Sequence, residues 1–518
     1  MKRNILFLAL ILICGSISAQ NHYTFNTHSY KFNMAITAQI KINDVEQTSN
    51  DIELGAFNGE SIRGSQRIGQ YGSAGYYRAL IQIYDNPDET NYEVTFKIYN
   101  HDTGEELDNY DVTYQGEPYV VRWVASDAVG SNKHPVVLNF ATTFTKPITA
   151  YTPNSKDHYY LIASPLNVAV SPDDVTNMTS NNFDLYYFDQ GQEKEWINYK
   201  GNNGDFDLEP GKGYLYANSQ TIDLIFAGAP YNGDGQVSLV KDLNGNNGNS
   251  GGFLGWNLVG NPFPQTAYID RSFYRMNEGG TELESSTGAI NDMEGIFVIA
   301  NENGETLTFN TEAPAKGGEQ LVVNLTQNRG TSIDRAIVGF NEGDVLPKFM
   351  LNENNTKLYI PQGNKDYAVV RSAGQGVLPL NFRAAKNGTY TLNIDTENVE
   401  MNYLHLIDNM TGMDVDLLQN PSYTFEATTR DYESRFKLVF ASASTDSVID
   451  AFAFFSNGNW IINNDGKATL QIVDVNGHIL CNEQINGSCS KSFEAAPGIY
   501  MLRLINGDNV KVQKVVIK

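Results

Sequence analysis

The sequence predicts an all-β protein made of β-sandwich domains in tandem, and three observations predict it. Apolar and polar residues alternate with a period of two in many short runs, as a strand with one buried and one wet face requires. Asn-Gly pairs, the commonest signal for a tight hairpin turn, punctuate those runs at 58–59, 232–233, 387–388, 476–477 and 506–507. Beyond residue 20 no convincing amphipathic helix of ten or more residues occurs. The alternation is clearest where Tyr92, Val94, Phe96 and Ile98 interleave with Glu93, Thr95, Lys97 and Tyr99. It returns at Tyr390, Leu392 and Ile394, and again at Phe436, Leu438 and Phe440. Short strands with frequent turns are the signature of sandwiches in series.

Residues 1–19 have the parts of a secretory signal peptide. Lys2 and Arg3 form a basic start, Ile5 to Ile13 an apolar run, and Ser16-Ile17-Ser18-Ala19 a small-residue stretch that places cleavage between Ala19 and Gln20. The apolar run is too short for a membrane span, which takes about 20 residues. Cys14 raises a lipidated alternative, but the bulky Ile13 stands where that chemistry prefers a small residue. No later apolar stretch is long enough to span a bilayer. The net charge of −24 excludes a nucleic-acid partner, since phosphate is bound through Lys and Arg. That acidity suits an extracellular protein and permits Ca²⁺ without predicting it. Between residues 20 and 480 there is no cysteine, which removes disulfides, thiol nucleophiles and Cys-based zinc sites together. Cys481 and Cys489 flank a turn at Asn486-Gly487. They are a candidate disulfide in an oxidising compartment, with two free thiols as the open alternative.

The chain divides into a β-sandwich at 20–145, a second at 150–312, a third at 313–441 and a last module at 449–518, after the small, polar linker Ala441–Ser447. The second contains a weak internal duplication. Tyr159-Tyr160-Leu161-Ile162-Ala163-Ser164-Pro165-Leu166 matches Trp256-Asn257-Leu258-Val259-Gly260-Asn261-Pro262-Phe263 in pattern. A glycine-led strand follows each, from Gly213 and from Gly295, as two interlocking halves of one sandwich require.

The last module carries the strongest motif. It has Leu470-Gln471-Ile472-Val473-Asp474-Val475-Asn476-Gly477, then Pro497-Gly498-Ile499-Tyr500, then a Lys-rich finish through Lys514 to Lys518. These residues closely resemble the type A C-terminal sorting domain of type IX secretion substrates, with Pro497, Gly498, Tyr500, Lys514 and Lys518 as its motif. The resemblance implies an immunoglobulin-like sorting domain. It implies inner-membrane passage through the Sec translocon, then outer-membrane passage through the type IX secretion machinery. It also implies removal of the tag at the 441–450 linker, and either attachment to surface lipopolysaccharide or release from a Gram-negative cell. Asp446-Ser447-Val448 fits a bacterial O-glycosylation pattern short enough to arise by chance. The body resembles the large multi-sandwich surface proteins that carry such tags, and that likeness brings no active site with it.

Known chemistry finds no credible context. The seven histidines are scattered, and no His-Glu-x-x-His occurs. Gly248-Asn249-Ser250-Gly251-Gly252 has the serine-hydrolase spelling, but it lies in a Gly/Asn tract that offers neither the strand nor the helix of a nucleophile elbow. The Asp242–Gly248 run lacks the glycine and glutamate spacing of an EF-hand. Asp85, Asp88 and Glu89 are a candidate irregular Ca²⁺ turn. Tyr71, Tyr76, Tyr77 and Trp196 are a candidate sugar-stacking platform. The sequence therefore assigns no catalytic residue and no metal-ligand set. It predicts a non-enzymatic surface or secreted protein with a structural, adhesive or ligand-binding role, whose ligand is an unidentified glycan or protein. The alternative is a secreted hydrolase or carbohydrate-binding accessory, which a cleft with paired carboxylates would favour.

Overall fold

A computed structural model describes residues 21–517 apart from 87–90, 202–204, 242–252, 443–451 and positions 154, 156, 180, 316, 329, 341, 457, 458, 463, 465, 493, 494 and 508. The signal segment, Asp88 and Glu89, the Gly-x-Ser-x-Gly string, the EF-hand-like run, the glycosylation pattern and Lys518 lie outside the described residues. Among the described residues the chain is strand and turn, with two 3₁₀ turns and no α-helix. It forms two compact units: one runs to Phe144 and includes Ala227–Ala229, and the other holds the remainder.

The first unit is two facing sheets. In one, the long strand Phe32–Ile42 runs antiparallel to Tyr76–Asp85 and parallel to Val136–Phe140. In the other, Ile52–Asn58 lies between Ser61–Arg67 and Thr95–Asn100. Met34, Ile36, Ala38 and Ile40 point inward at every second position of the long strand. They meet Leu54, Ala56, Phe96 and Ile98 from the facing sheet. Each large apolar side chain buried in this way contributes about 1.5–3 kcal/mol. Asp85, also buried, accepts a hydrogen bond from Arg63 Nε at 2.9 Å and one from the Tyr92 hydroxyl at 2.9 Å. Its carboxylate is thereby engaged, and Arg63 and its other hydrogen bonds hold it below the ordinary carboxylate range although burial opposes them.

The second unit opens with two four-stranded sheets of identical order. The first runs Tyr160–Ala163, Gly213–Asn218, Phe183–Phe188, Trp196–Asn198, and the second Trp256–Gly260, Gly295–Ile299, Phe273–Met276, Leu283–Ser286. In each, the strand that comes first in the chain pairs with the one that comes last. Where the sheets cross, the backbone contacts repeat by pseudo-two-fold symmetry. Ile162 bridges Glu294 as Val259 bridges Lys212. Ala163 N–H donates to Met293 O at 3.2 Å as Gly260 N–H donates to Gly211 O at 2.9 Å. The crossing depends on glycine, because a Cβ on Gly213 would sit 2.6 Å from Val259 O and one on Gly260 2.4 Å from the Ala163 methyl.

The segment after 312 is a run of hydrogen-bonded strands from Gln320–Gln327 to Phe436–Ser442 around one core that includes Leu325, Leu380, Tyr390, Leu406, Phe425 and Leu438. It is not separate from the halves before it. Tyr274, Trp256 and Phe297 share a second core with Val322, Ile337, Phe349 and Val369, so the second and third sandwiches are fused across the expected boundary at 312. The Tyr274 hydroxyl seals the join by donating to Pro347 O and accepting from Phe349 N–H, both at 3.0 Å.

The last module has a three-stranded sheet, Ala453–Ser456, Asn459–Ile462 and Cys489–Ser492. Over it lies a four-stranded sheet of Ile479–Asn486, Lys467–Asp474, Gly498–Asn506 and Asn509–Ile517. Trp460, Leu470, Ile472, Tyr500 and Leu502 fill the space between. Ile461 points the other way and is fully buried against Val377, Tyr403, Val439 and Ala441 of the third sandwich.

Candidate functional site

The feature best suited to hold a ligand is a cavity of about 440 Å³ in the second unit, a size typical of small-molecule sites. Its aromatic walls are Tyr159, Tyr186 and Trp196, its apolar floor Leu215, Met276 and Leu351, and its polar groups Thr281, Glu282, Asn352 and Asn355. Both halves of the duplicated sandwich contribute, and the loop before the strand Lys357–Gln362 closes one side.

Local structure fixes each wall. Trp196 stands edge-on to Phe188 and Phe297, with ring centroids 5.3 and 5.9 Å away, the arrangement aromatic pairs prefer. Tyr159 N–H donates to Gly280 O at 3.0 Å, which ties the start of the first half to the turn ahead of Leu283–Ser286. Gly280 has φ +60, and a Cβ there would sit 2.4 Å from Tyr159 N, so only glycine allows the approach. Asn277 braces the same turn, its Oδ1 accepting from Thr281 N–H at 2.9 Å and its Nδ2 donating to Ser332 O at 2.9 Å.

Glu282 carries the electrostatics. Burial pushes its carboxyl up to about 8, the nearby Asp334 adds to the rise, and Lys348 opposes it. Lys348 is itself paired with Asp334 at 2.5 Å, deep in the interior. The amide of Asn355 donates to Glu282 Oε1. Tyr159 and Tyr186 are both raised, first by burial and next by Asp184. Among the described residues the cavity is thus lined by three aromatic rings and a single carboxyl group, with Asp184 acting on two of the rings.

Of the four residues expected to form a sugar-stacking platform, Trp196 lines this cavity, whereas Tyr71, Tyr76 and Tyr77 belong to the first unit, where Tyr71 pairs with Tyr76 across a hairpin. Asp85 of the candidate Ca²⁺ turn is bound to Arg63, and among the described residues no group of three or more His, Cys, Asp or Glu side chains converges as a metal site. In the last module Tyr500 is buried, stands edge-on to Trp460 at 5.3 Å, and donates its hydroxyl proton to Ala496 O at 2.7 Å. Pro497 leads into the Gly498–Asn506 strand, and Lys514 is exposed opposite Met501. Of the motif residues described, Tyr500 is a core residue of this module, whereas Pro497 and Lys514 are exposed and Gly498 is half-buried. Cys481 and Cys489 are half-buried free thiols on consecutive strands of different sheets. Sequence reasoning missed Tyr186, Glu282 and Asn355, since no motif marks them and chain folding alone joins them.

Residues 456–518 match the family described as the secretion system C-terminal sorting domain. No curated protein matches the chain. Among solved structures, a chain titled "Biofilm associated protein - BSP domain" is similar over 97% of this chain and 98% of its own, at 8% identity and a TM-score of 0.14. A likeness that slight carries no argument.

Proposed function

We propose, for a chain that ends in a type IX C-terminal sorting domain and is therefore secreted or displayed at the cell surface, that its body is a non-enzymatic β-sandwich protein that binds a small ligand. Entry to the export route is through the signal peptide at 1–19, with lipopolysaccharide as the anchor where the protein is retained. The observation that carries the binding reading is the cavity walled by Tyr159, Tyr186 and Trp196. Glu282 has the protonation of a general acid near neutral pH, which is what a hydrolase would use. Glycoside hydrolysis, however, employs two carboxyl groups about 5–10 Å apart, and the described lining contains one.

Two measurements test this. Deleting 449–518 should abolish labelling of the protein by protease shaving of whole cells, and surface exposure without the tag would refute the export route. Thermal-shift screening of the secreted protein against small amines, sugars and peptides should find ligands that raise the melting temperature, with the shift lost in Trp196→Ala. If the whole panel leaves the wild type unmoved, the body is not a small-ligand binder, and hydrolysis of polysaccharide or casein would identify the rival.

A further inference from the structure

We infer that the cavity takes an organic cation, an alkylated ammonium group caged by Tyr159, Tyr186 and Trp196 with the Glu282 carboxylate as its counter-ion. This rests on the ligand-binding reading and narrows it to a class.

Three features select that class. The first is charge: Glu282 is the one ionisable carboxyl among the described lining residues, and no Lys, Arg or His joins it. An anionic ligand would be placed beside a carboxyl with nothing to offset it. The second is the state of the polar groups. Asn355 Nδ2 is engaged by Glu282, and Asn352 Oδ1 accepts from Asn354 N–H at 3.0 Å. Thr281 Oγ1 contacts the Asn277 amide at 3.1 Å, and the Tyr186 hydroxyl is bonded by Asn198. A sugar ring is held by several side chains with free donors and acceptors, and here at least one polar atom each of Asn355, Asn352, Thr281 and Tyr186 already has a partner within the protein. The third is the ring set. Aromatic faces attract an ammonium group electrostatically without needing hydrogen bonds, most strongly where water is excluded. Asp184 adds negative charge beside both tyrosines, while the effect of Asp334 on Glu282 is opposed by its partner Lys348.

Linkage gives the reading a distinctive signature. The groups facing Glu282 are Asp334, from the strand Ser332–Gly339, and Lys348, just after Leu346–Pro347. These two are paired with each other, and the neutral Asn355 completes the surroundings. The Glu282 carboxyl holds its proton up to about pH 8, so below that pH an entering cation must displace it. Affinity should therefore rise by about tenfold per pH unit up to that value and level off above it.

Calorimetric titration of the secreted protein with choline, and with 3,3-dimethyl-1-butanol as its uncharged analogue, tests this at pH 6, 7, 8 and 9. Glucose and cellobiose provide the sugar arm. Choline should bind at least about tenfold more tightly than the analogue, with affinity rising from pH 6 to pH 8. Glu282→Gln, which keeps the shape and can still accept from Asn355, should weaken choline binding and remove its pH dependence. Trp196→Phe should keep measurable binding and so report a folded site. Equal binding of choline and its analogue, binding of the sugars in place of choline, or no choline binding would each overturn the cation. The first two outcomes would leave the ligand-binding reading intact, whereas failure of every probe together with the wider screen would remove both.

Discussion

Tyr274 shows how much one hydroxyl can hold together. Its ring lies in the core shared by the second and third sandwiches, and its oxygen bonds the backbone on both sides of Lys348. Replacing it with phenylalanine keeps the ring but removes the partner of a buried N–H and of a part-buried carbonyl. Tyr274→Phe should therefore lower the unfolding free energy by about 1–3 kcal/mol, read as a reduced urea midpoint with an unchanged slope. An unaltered midpoint would mean that water takes the place of the hydroxyl. None of this was legible in the sequence, where Tyr274 is one of 29 tyrosines. Glu282 was equally silent, because Asp334 and Asn355, far along the chain, set its environment. Trp196 was singled out from local composition, but the partners expected for it belong to the other unit.

Among the elements, the strands themselves were easy to read. A two-residue period survives any tertiary context that buries one face, which is why Tyr92–Tyr99 and Tyr390–Ile394 announce themselves. The repeated aromatic-to-proline pattern at 159–166 and 256–263 likewise marks the lead strands of two sheets with one strand order. What the pattern does not reveal is the backbone crossing between those sheets, which depends on residues with no side chain to read. Gly260→Ala should place a methyl against Ala163 and Lys212 O and lower stability by about 1–3 kcal/mol through overpacking. Gly304→Ala offers a contrast: its φ is +78, yet nothing lies within 4 Å of the added carbon. Its cost should come from backbone conformation alone, about 1 kcal/mol. Thermal melts of the two variants separate crowding from conformational strain, and equal losses would remove the crossing from the explanation.

At the scale of the whole molecule, composition and turn spacing suggested beads of similar size, and the shared core around Trp256, Phe297 and Phe349 is where that picture gave way. Cores formed between distant segments leave no periodic trace in either segment. Calorimetry of the secreted protein should show one transition for residues 150–441. A fragment covering 313–441 alone should aggregate or melt earlier, because Val322, Ile337 and Phe349 lose their cover. Two independent transitions would restore the bead picture.

The burial of Ile461 against Val377, Tyr403, Val439 and Ala441 also bears on the life history of the protein. While the tag is present, that part of the third sandwich is dry. Were the tag cut off and lost, that surface would be wetted, and the shortened protein would be a stickier molecule than the full chain. Solubility would then be a property of the stage of export as well as of the sequence, and self-association would begin only after delivery.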